Sequence, residues 1–338
     1  MKMFIKIIIA VMLFLPATLV TASDFAGESM AIGVGARPLG MGGTFAAIAD
    51  DASTTYWNSA GMTNIVGVEV SSVKLTKMFN ELDTAYTYVN LVYNVSNDVG
   101  AFGVAWLRQS ISDIQLTDGS GTPLPGLAET SDNTIYIAYA HKIIQGISVG
   151  VSTKILVGSY PSLTYASGGG TPEAGTIGYT GFGVDVGFYL DTAVMAKELK
   201  GLSLGVNLQD VYTTIVWDAK GNTLYAGGTE TVALNAKPGI AYNLPFDFLK
   251  QAKSEIILAC DLDTKYQTLV HVGGEFWWNK MIGIRGGAKI YGELNATTIQ
   301  TPDWSLGASF RWFFIGVDYA YVYNELAPVN YLSIIGKF

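Results

Sequence analysis

Alternation of apolar and polar positions is the main pattern along the chain. Residues 282–290 place Ile282, Ile284, Ala288 and Ile290 on one face and Gly283, Arg285, Gly287 and Lys289 on the other. The same period of two recurs in residues 182–190, 202–209 and 304–312, with the charges always on the small-residue face. This period predicts β-strands, and an apolar outer face backed by small and polar residues is typical of strands in a membrane β-barrel.

Extended along the chain, the pattern predicts fourteen strands. They lie near residues 66–77, 83–93, 99–109, 133–143, 146–157, 177–190, 201–212, 231–243, 254–263, 268–278, 280–291, 303–312, 313–323 and 329–338. The predicted fold is therefore all-β, an outer-membrane barrel of about 14 antiparallel strands. An N-terminal hatch in the lumen is argued below.

The predicted connections differ in length on the two sides of the barrel. Long ones follow strands 3, 5, 7 and 11, at 110–132, 158–176, 213–230 and 292–302, whereas strands 2, 4, 10 and 12 are followed by tight turns. Two further connections, 191–200 and 244–253, are predicted to contain short interfacial helices. Long external loops and short periplasmic turns are typical of outer-membrane barrels. An even strand count then places both termini on the periplasmic side.

Both ends of the chain carry export features. Residues 1–22 combine Lys2 and Lys6 with an apolar run and a small-residue cleavage pattern, which predicts a removed signal peptide. The last strand ends on Phe338, which looks like the signal read by the barrel assembly machinery. We therefore expect a signal peptide at 1–22, a hatch at 23–65 and a transmembrane barrel at 66–338.

Composition agrees with a bacterial outer-membrane location. Only 14% of the residues are charged, against about 25% in soluble proteins, so membrane lipid is an expected partner. Without residues 1–22 the chain has 18 basic and 28 acidic residues, a net charge of −10, which argues against nucleic acid as a partner. A single cysteine, Cys260, excludes an internal disulfide and a multi-thiolate metal site.

Residues 35–62, GARPLGMGGTFAAIADDASTTYWNSAGM, follow neither a strand nor a helix pattern. A phosphate-binding loop is disfavoured, because Gly33 and Gly35 are followed by Pro38 rather than a third glycine. A calcium loop at Asp50 and Asp51 would need a glycine and a terminal glutamate at the correct spacing. We therefore predict no cofactor, no metal and no enzymatic activity, and favour a plug.

This stretch resembles the N-terminal signature of the PorV/PorQ family, a branch of the FadL-type long-chain fatty-acid transporter superfamily. The matching positions are Arg37, Met41, Gly42, Gly43, Asp50, Asp51, Tyr56, Trp57, Asn58, Ala60 and Gly61, while Ser59 stands where the family usually has proline. The resemblance implies that residues 23–65 form a hatch inserted into the lumen. Small residues in this stretch would permit close approach to the barrel wall.

Two further sets of residues are candidates for function. Alternation points Lys237, Arg285, Lys289 and Arg311 into the lumen, where they either pair with acidic residues to fix the hatch or bind an acidic ligand, with Arg285 the favoured anchor. Pro238 and Gly239 interrupt a predicted strand and form a candidate kink. FadL-type proteins release ligand sideways through such a kink.

The leading functional prediction is a FadL-like barrel that passes a hydrophobic or amphipathic small molecule across the outer membrane. The alternative, implied by the PorV resemblance alone, is a type IX secretion component that receives secreted cargo proteins at the cell surface through the loops at 110–132 and 158–176.

Overall fold

The fold is described from a computed structural model, which covers residues 27–76, 83–118, 120–164, 173–218, 227–265, 268–292, 302–325 and 328–338. The predicted signal peptide and most of the predicted connection at 292–302 lie outside these residues. The strands are β1 (Gly67–Thr76), β2 (Asp83–Ser96), β3 (Gly100–Ile114), β4 (Ala128–Ile144), β5 (Ile147–Thr164), β6 (Glu173–Asp191), β7 (Leu202–Asp218), β8 (Gly228–Thr231), β9 (Asn235–Asn243), β10 (Glu255–Asp263), β11 (Thr268–Trp278), β12 (Ile282–Gly292), β13 (Asp303–Trp312), β14 (Ile315–Tyr323) and β15 (Val329–Lys337).

The strands form a closed antiparallel barrel. Apart from β8 and β9, each strand pairs with its neighbours in sequence order, and β1 also pairs with β15, placing Val70 opposite Gly336 and Lys74 opposite Leu332. Because β8 and β9 both pair with β7, they occupy one position in the ring. The closed ring therefore has fourteen strand positions, which confirms the predicted fold class.

The period of two decides which side chains face outward. Val104 and Ile284 are 51% and 57% exposed, whereas the inward-facing Ser305 and Asp318 are buried. At the end of the barrel with the short turns, the exposed side chains include Trp278, Trp312, Phe313, Phe314 and Phe338. An apolar outer band bordered by aromatic residues is typical of a barrel in a lipid bilayer.

Two details of the predicted wall differ from the structure. The predicted loops at 110–132 and 158–176 are partly strand, because β3 to β6 extend beyond the alternating apolar segments as paired polar ribbons. Backbone pairing satisfies the peptide groups of these polar segments even where no apolar face directs them. The strand predicted at 231–243 is divided, since β8 ends at Thr231 and β9 begins at Asn235.

Short helices lie at one end of the barrel and in its lumen. The connections predicted to be helical contain 3-10 helices Thr192–Val194 and Lys197–Leu199 and the helix Asp247–Gln251. Residues 27–65 contain 3-10 helices Glu28–Ile32 and Ser59–Asn64 and the helices α1 (Ala36–Gly40) and α2 (Thr54–Trp57). Among the described residues, none of the helices is long and apolar enough to cross a bilayer.

Candidate functional site

Residues 27–65, called the hatch below, lie inside the barrel and contact its wall on many sides. The contacts are hydrogen bonds from Ala36 N to Ser333 Oγ (2.8 Å), Gly42 N to Ser305 Oγ (2.9 Å), Phe45 N and Ala46 N to Asp261 Oδ2 (2.7 and 2.8 Å) and Ser203 Oγ to Ala47 O (2.8 Å). A further bond joins Thr63 Oγ1 and Ser148 Oγ (2.7 Å). The polar lumen of the barrel therefore satisfies the irregular backbone of the hatch.

Glycines on the wall allow the hatch backbone to approach closely. A Cβ at Gly205 would overlap the backbone of Ala46, and one at Gly287 would overlap the backbone of Met41 and Gly42. Gly42 itself has a φ of 71° and faces the backbone of Ala288 on β12. A side chain at these glycines would therefore push the hatch away from the wall.

An ion network centred on Arg37 joins the hatch to β11. The guanidinium contacts Asp50 Oδ1 at 2.5 Å and Asp51 Oδ2 at 3.3 Å, and it also pairs with both carboxylate oxygens of Glu275. Burial alone would lower the pKa of Arg37, but the carboxylates of Asp50 and Glu275 outweigh it and hold the pKa well above its ordinary value. Arg37 is therefore a permanent cation that joins Asp50 and Asp51 of the hatch to Glu275 of the wall.

Two of the candidate ligand anchors, Arg285 and Arg311, form ion pairs in or beside the same network. Arg285 Nε lies 3.2 Å from Glu275 Oε2, and Arg285 Nη2 donates to Ser309 Oγ at 2.6 Å. Arg311 Nη1 lies 2.7 Å from Asp318 Oδ1. The Arg285 side chain has no exposed surface. The structure therefore does not support Arg285 as the favoured ligand anchor, because the hatch covers it and carboxylates surround it.

The remaining hatch-motif residues fix the internal shape of the plug. Trp57 Nε1 donates to Val34 O at 2.8 Å, and Asn58 Nδ2 donates to Ala46 O at 2.7 Å and to Phe188 O on β6 at 2.9 Å. Asn58 Oδ1 accepts from Ala60 N. Gly61 packs directly against Ala49, where a Cβ would overlap its backbone.

Within the described part of the chain, a cavity of about 460 Å³ lies in the lumen on each side of the hatch. The outer cavity, of about 460 Å³, lies at the end of the long connections and is lined by residues that include Leu39, Trp57, Leu269, Trp304, Val322 and Tyr331. The inner cavity, of the same volume, lies at the short-turn end and is lined by residues that include Ile48, Asp50, Asn64, Tyr189 and Ser203. The hatch thus separates two spaces of equal size.

Lys237 and Lys289, the other two candidate anchors, line the outer cavity. Lys237 Nζ lies 3.1 Å from Asp263 Oδ2 and 5.5 Å from the centroid of the Trp57 ring. Lys289 Nζ lies over the Tyr291 ring at 5.2 Å. Sequence reasoning grouped four cations in the lumen, whereas the structure separates them into two at the outer cavity and two in the network below the hatch.

The candidate kink at Pro238 and Gly239 lies in a continuous part of β9. Pro238 pairs with Val206 and Gly239 with Gly205 on β7, and the register does not shift between them. On the other side, backbone pairing between β9 and β10 ends at Gly239. Beyond this point, the Thr264 side chain bonds to the β9 backbone instead: Oγ1 accepts from Ala236 N and donates to Ala236 O, each at 3.1 Å. The main irregularity of the wall lies elsewhere, at β7 and at the break between β8 and β9.

A closed barrel with an N-terminal plug and an apolar outer band is the fold of FadL-type outer-membrane barrels. CymD, a monoaromatic hydrocarbon channel, matches with a TM-score of 0.60 at 16% identity, over 91% of this chain and 98% of that one. The Ralstonia pickettii toluene transporter TbuX matches with a TM-score of 0.57 at 13% identity, over 90% and 98%. A Pseudomonas aeruginosa FadL homologue matches with a TM-score of 0.53 at 13% identity, over 89% and 97%. No protein-family model and no curated protein sequence matches the chain.

Proposed function

We propose that the protein is an outer-membrane channel that passes a hydrophobic or amphipathic small molecule, as the toluene transporter TbuX and the monoaromatic hydrocarbon channel CymD do for theirs. The observation that carries the proposal is the pair of lumenal cavities separated by the hatch. A volume of about 460 Å³ lies within the ordinary range for a small-molecule site, about 300–1,000 Å³. The solved structures are transporters and channels, which agrees with a non-enzymatic role.

The outer cavity has the composition of a binding site for such a molecule. Leu39 and Trp57 of the hatch face it from below, and Leu269 and Val322 contribute from the wall. Charged and polar residues also line it, among them Lys237, Lys265, Lys289, Asp263 and Asp303. His271 Nδ1 lies 2.6 Å from Gly42 O. A cavity with both apolar and charged walls suits an amphipathic molecule that carries a polar group on an apolar chain or ring.

A sideways route fits the geometry better than a straight one. The hatch contacts the wall around the lumen, whereas the wall is irregular at β7 and broken between β8 and β9. The proposed route leads from the outer cavity through this part of the wall into the lipid. The candidate kink at Pro238 and Gly239 stays a separate prediction for the side route.

Filling the outer cavity tests the binding site. Ala31→Trp places an indole in the cavity beside the hatch, so the affinity for toluene, or for an environment-sensitive hydrophobic dye, should fall by about tenfold or more. Ala193→Trp adds the same side chain at the inner cavity and serves as the control. Binding should be measured by dye displacement in detergent. Equal affinities of the two variants would rule out the outer cavity as the site.

Lys289 tests whether the ligand carries an acidic head group. Of the two candidate anchors at the outer cavity, Lys237 is already paired with Asp263, so Lys289 is the one tested as the cation for a ligand carboxylate. Lys289→Ala should weaken binding of a long-chain acid about tenfold and leave the matching alcohol unchanged. Lys280→Ala, at an exposed turn position, is the control. If the acid and the alcohol lose affinity equally, or neither does, the ligand is not held through a carboxylate.

The PorV/PorQ resemblance and the cargo-receiving role that it implies rest on the motif at 35–62. That motif builds the hatch, which serves a small-molecule channel equally well. The small-molecule role is therefore preferred, and the cargo role stays a prediction.

A further inference from the structure

The wall is irregular on both sides of β7 at the same level. Towards β6, Val184 pairs with Tyr212 and Val186 with Leu208, so residues 209–211 stand opposite the single residue Asp185. Asp210 has a left-handed φ of 59°, an uncommon conformation for a residue other than glycine. Towards the other neighbour, β8 ends at Thr231 and β9 begins at Asn235. The regular ladder is therefore interrupted on both edges of β7 near residues 209–212, although Thr213 O still accepts from Val232 N at 3.0 Å.

Where the backbone ladder is interrupted, three charged side chains interact with each other. They are Lys154, Asp185 and Asp210, called the β7 ion cluster below. Lys154 of β5 reaches across β6, with Nζ 2.7 Å from Asp185 Oδ1, and also pairs with Asp210 Oδ1. Asp210 N donates to Asp185 Oδ1 at 2.7 Å, and Thr213 Oγ1 donates to Asp210 Oδ1 at 2.8 Å. All three cluster residues are buried. One ammonium thus joins two carboxylates from strands that lack backbone pairing at this point.

Gly183 makes this contact possible. It pairs with Lys154 in the register of β5 and β6, and a Cβ at Gly183 would press on the lysine stem and on Thr213. The lysine stem therefore crosses β6 over a residue without a side chain. The cluster is built into the strand register rather than formed by a surface contact.

The cluster lies between the outer cavity and the irregular wall. A small space of about 10 Å³, lined by Lys154, Asp185 and Asp210, shares Ala31, Asn235 and Lys265 with the lining of the outer cavity. This volume is at the lower limit for one water molecule, so the path is closed. Beyond the cluster, Val211 and Tyr212 are exposed on the outer face.

We propose that the β7 ion cluster keeps the side opening closed, with Lys154 as the positioning residue that holds β6 and β7 together. The proposal rests on the function proposed above, for which it names the controlling residues. Without the Lys154 ammonium, Asp185 loses its ion-pair partner, while Lys265, which lines the same small space, still attracts Asp210. Moving the two carboxylates apart into water relieves their remaining repulsion. The irregular part of β7 then moves away from β6 and opens the path.

Hydrogen exchange tests the role of Lys154 without any ligand. In Lys154→Met, the amides of residues 209–212 should exchange at least tenfold faster than in the unaltered protein, with β12 unchanged. In the charge-free variant Lys154→Met/Asp185→Asn/Asp210→Asn, exchange should return to within about threefold of the unaltered protein, since the amide oxygen introduced at position 185 would still accept from the backbone N–H of residue 210. Lys337→Met, which removes the partner of Glu69 on β1, is the matched control. Unchanged exchange in Lys154→Met, or an equal increase in all strands, would overturn the proposal.

A reversible staple tests the link to transport. Val184→Cys/Tyr212→Cys joins register partners beside the irregular stretch, and Val104→Cys/Ile137→Cys joins partners on β3 and β4, both in a Cys260→Ser background. Oxidation of the first pair should stop delivery of a fluorescent hydrophobic probe into liposome lipid and leave its binding unchanged, and reduction should restore delivery. Oxidation of the second pair should have no effect. Normal delivery through the oxidised first pair would overturn the proposal, whereas absence of probe binding would instead refute the proposed function.

Discussion

Deletion of residues 24–62 should convert the closed barrel into an open pore. The hatch is the only described segment that fills the lumen between the two cavities, so its removal joins them into one water-filled channel. Conductance in planar bilayers should rise from a closed baseline to stable open steps. Liposome swelling should show entry of sugars that the intact protein excludes.

The wall can survive this deletion because its own charges balance. Arg285 and Arg311 face Glu275 and Asp318, and Glu69 keeps Lys337 at 2.9 Å. Heat-modifiable migration on gels should show that the shortened chain still folds as a barrel. A folded, inserted deletion variant with the permeability of the intact protein would contradict the idea that residues 27–65 close the lumen.

Arg37→Ala should release the hatch from the wall without removing it. The substitution leaves Glu275, Asp50 and Asp51 with one buried cation fewer, and breaking a buried ion pair in this way costs about 3–5 kcal/mol. Local opening of the hatch should become more frequent by about 150- to 5,000-fold. Faster hydrogen exchange in residues 36–41 and brief conductance bursts are the expected observations.

Arg108→Ala provides the matched control. Its partner Glu129 lies 2.8 Å away, but both side chains are substantially exposed. An exposed pair contributes less than about 1 kcal/mol, so neither exchange nor conductance should change. Equal behaviour of the two arginine variants would mean that the Arg37 network does not hold the hatch in place.

Much of the wall could be predicted from sequence because the bilayer imposes a simple rule on it. Outward-facing residues such as Ile284 and Leu306 must be apolar and their neighbours need not be, so alternation marks each strand. Beyond the lipid, outward-facing residues need not be apolar, so the alternation no longer marks the strands. This is why the strands that extend above the band, such as β5 as far as Thr164, were assigned to loops.

The lumen was harder to predict because its charges have several candidate partners. Alternation correctly turned Arg285 inward, but only the folded hatch shows that Arg37 and Glu275 surround it. The β7 ion cluster was missed for a similar reason. Lys154, Asp185 and Asp210 belong to three strands, and only their register brings them together. In sequence, Pro238 indicates an irregularity in β9. The extra residues of the wall, 209–211, lie in β7, and none of them is proline or glycine.

The pairing of β1 with β15 limits the order in which the protein can assemble. Residues 27–65 precede β1 directly, and their partners lie on β5, β7, β10, β13 and β15. A finished ring admits the hatch only through its open ends, whereas an unclosed sheet also admits it from the side. That seam joins segments more than 250 residues apart in the chain, from Glu69 and Lys337 to Leu75 and Tyr331. Contacts of such long range form slowly. Pairing of β1 with β15 is therefore expected to be a slow step in forming the barrel.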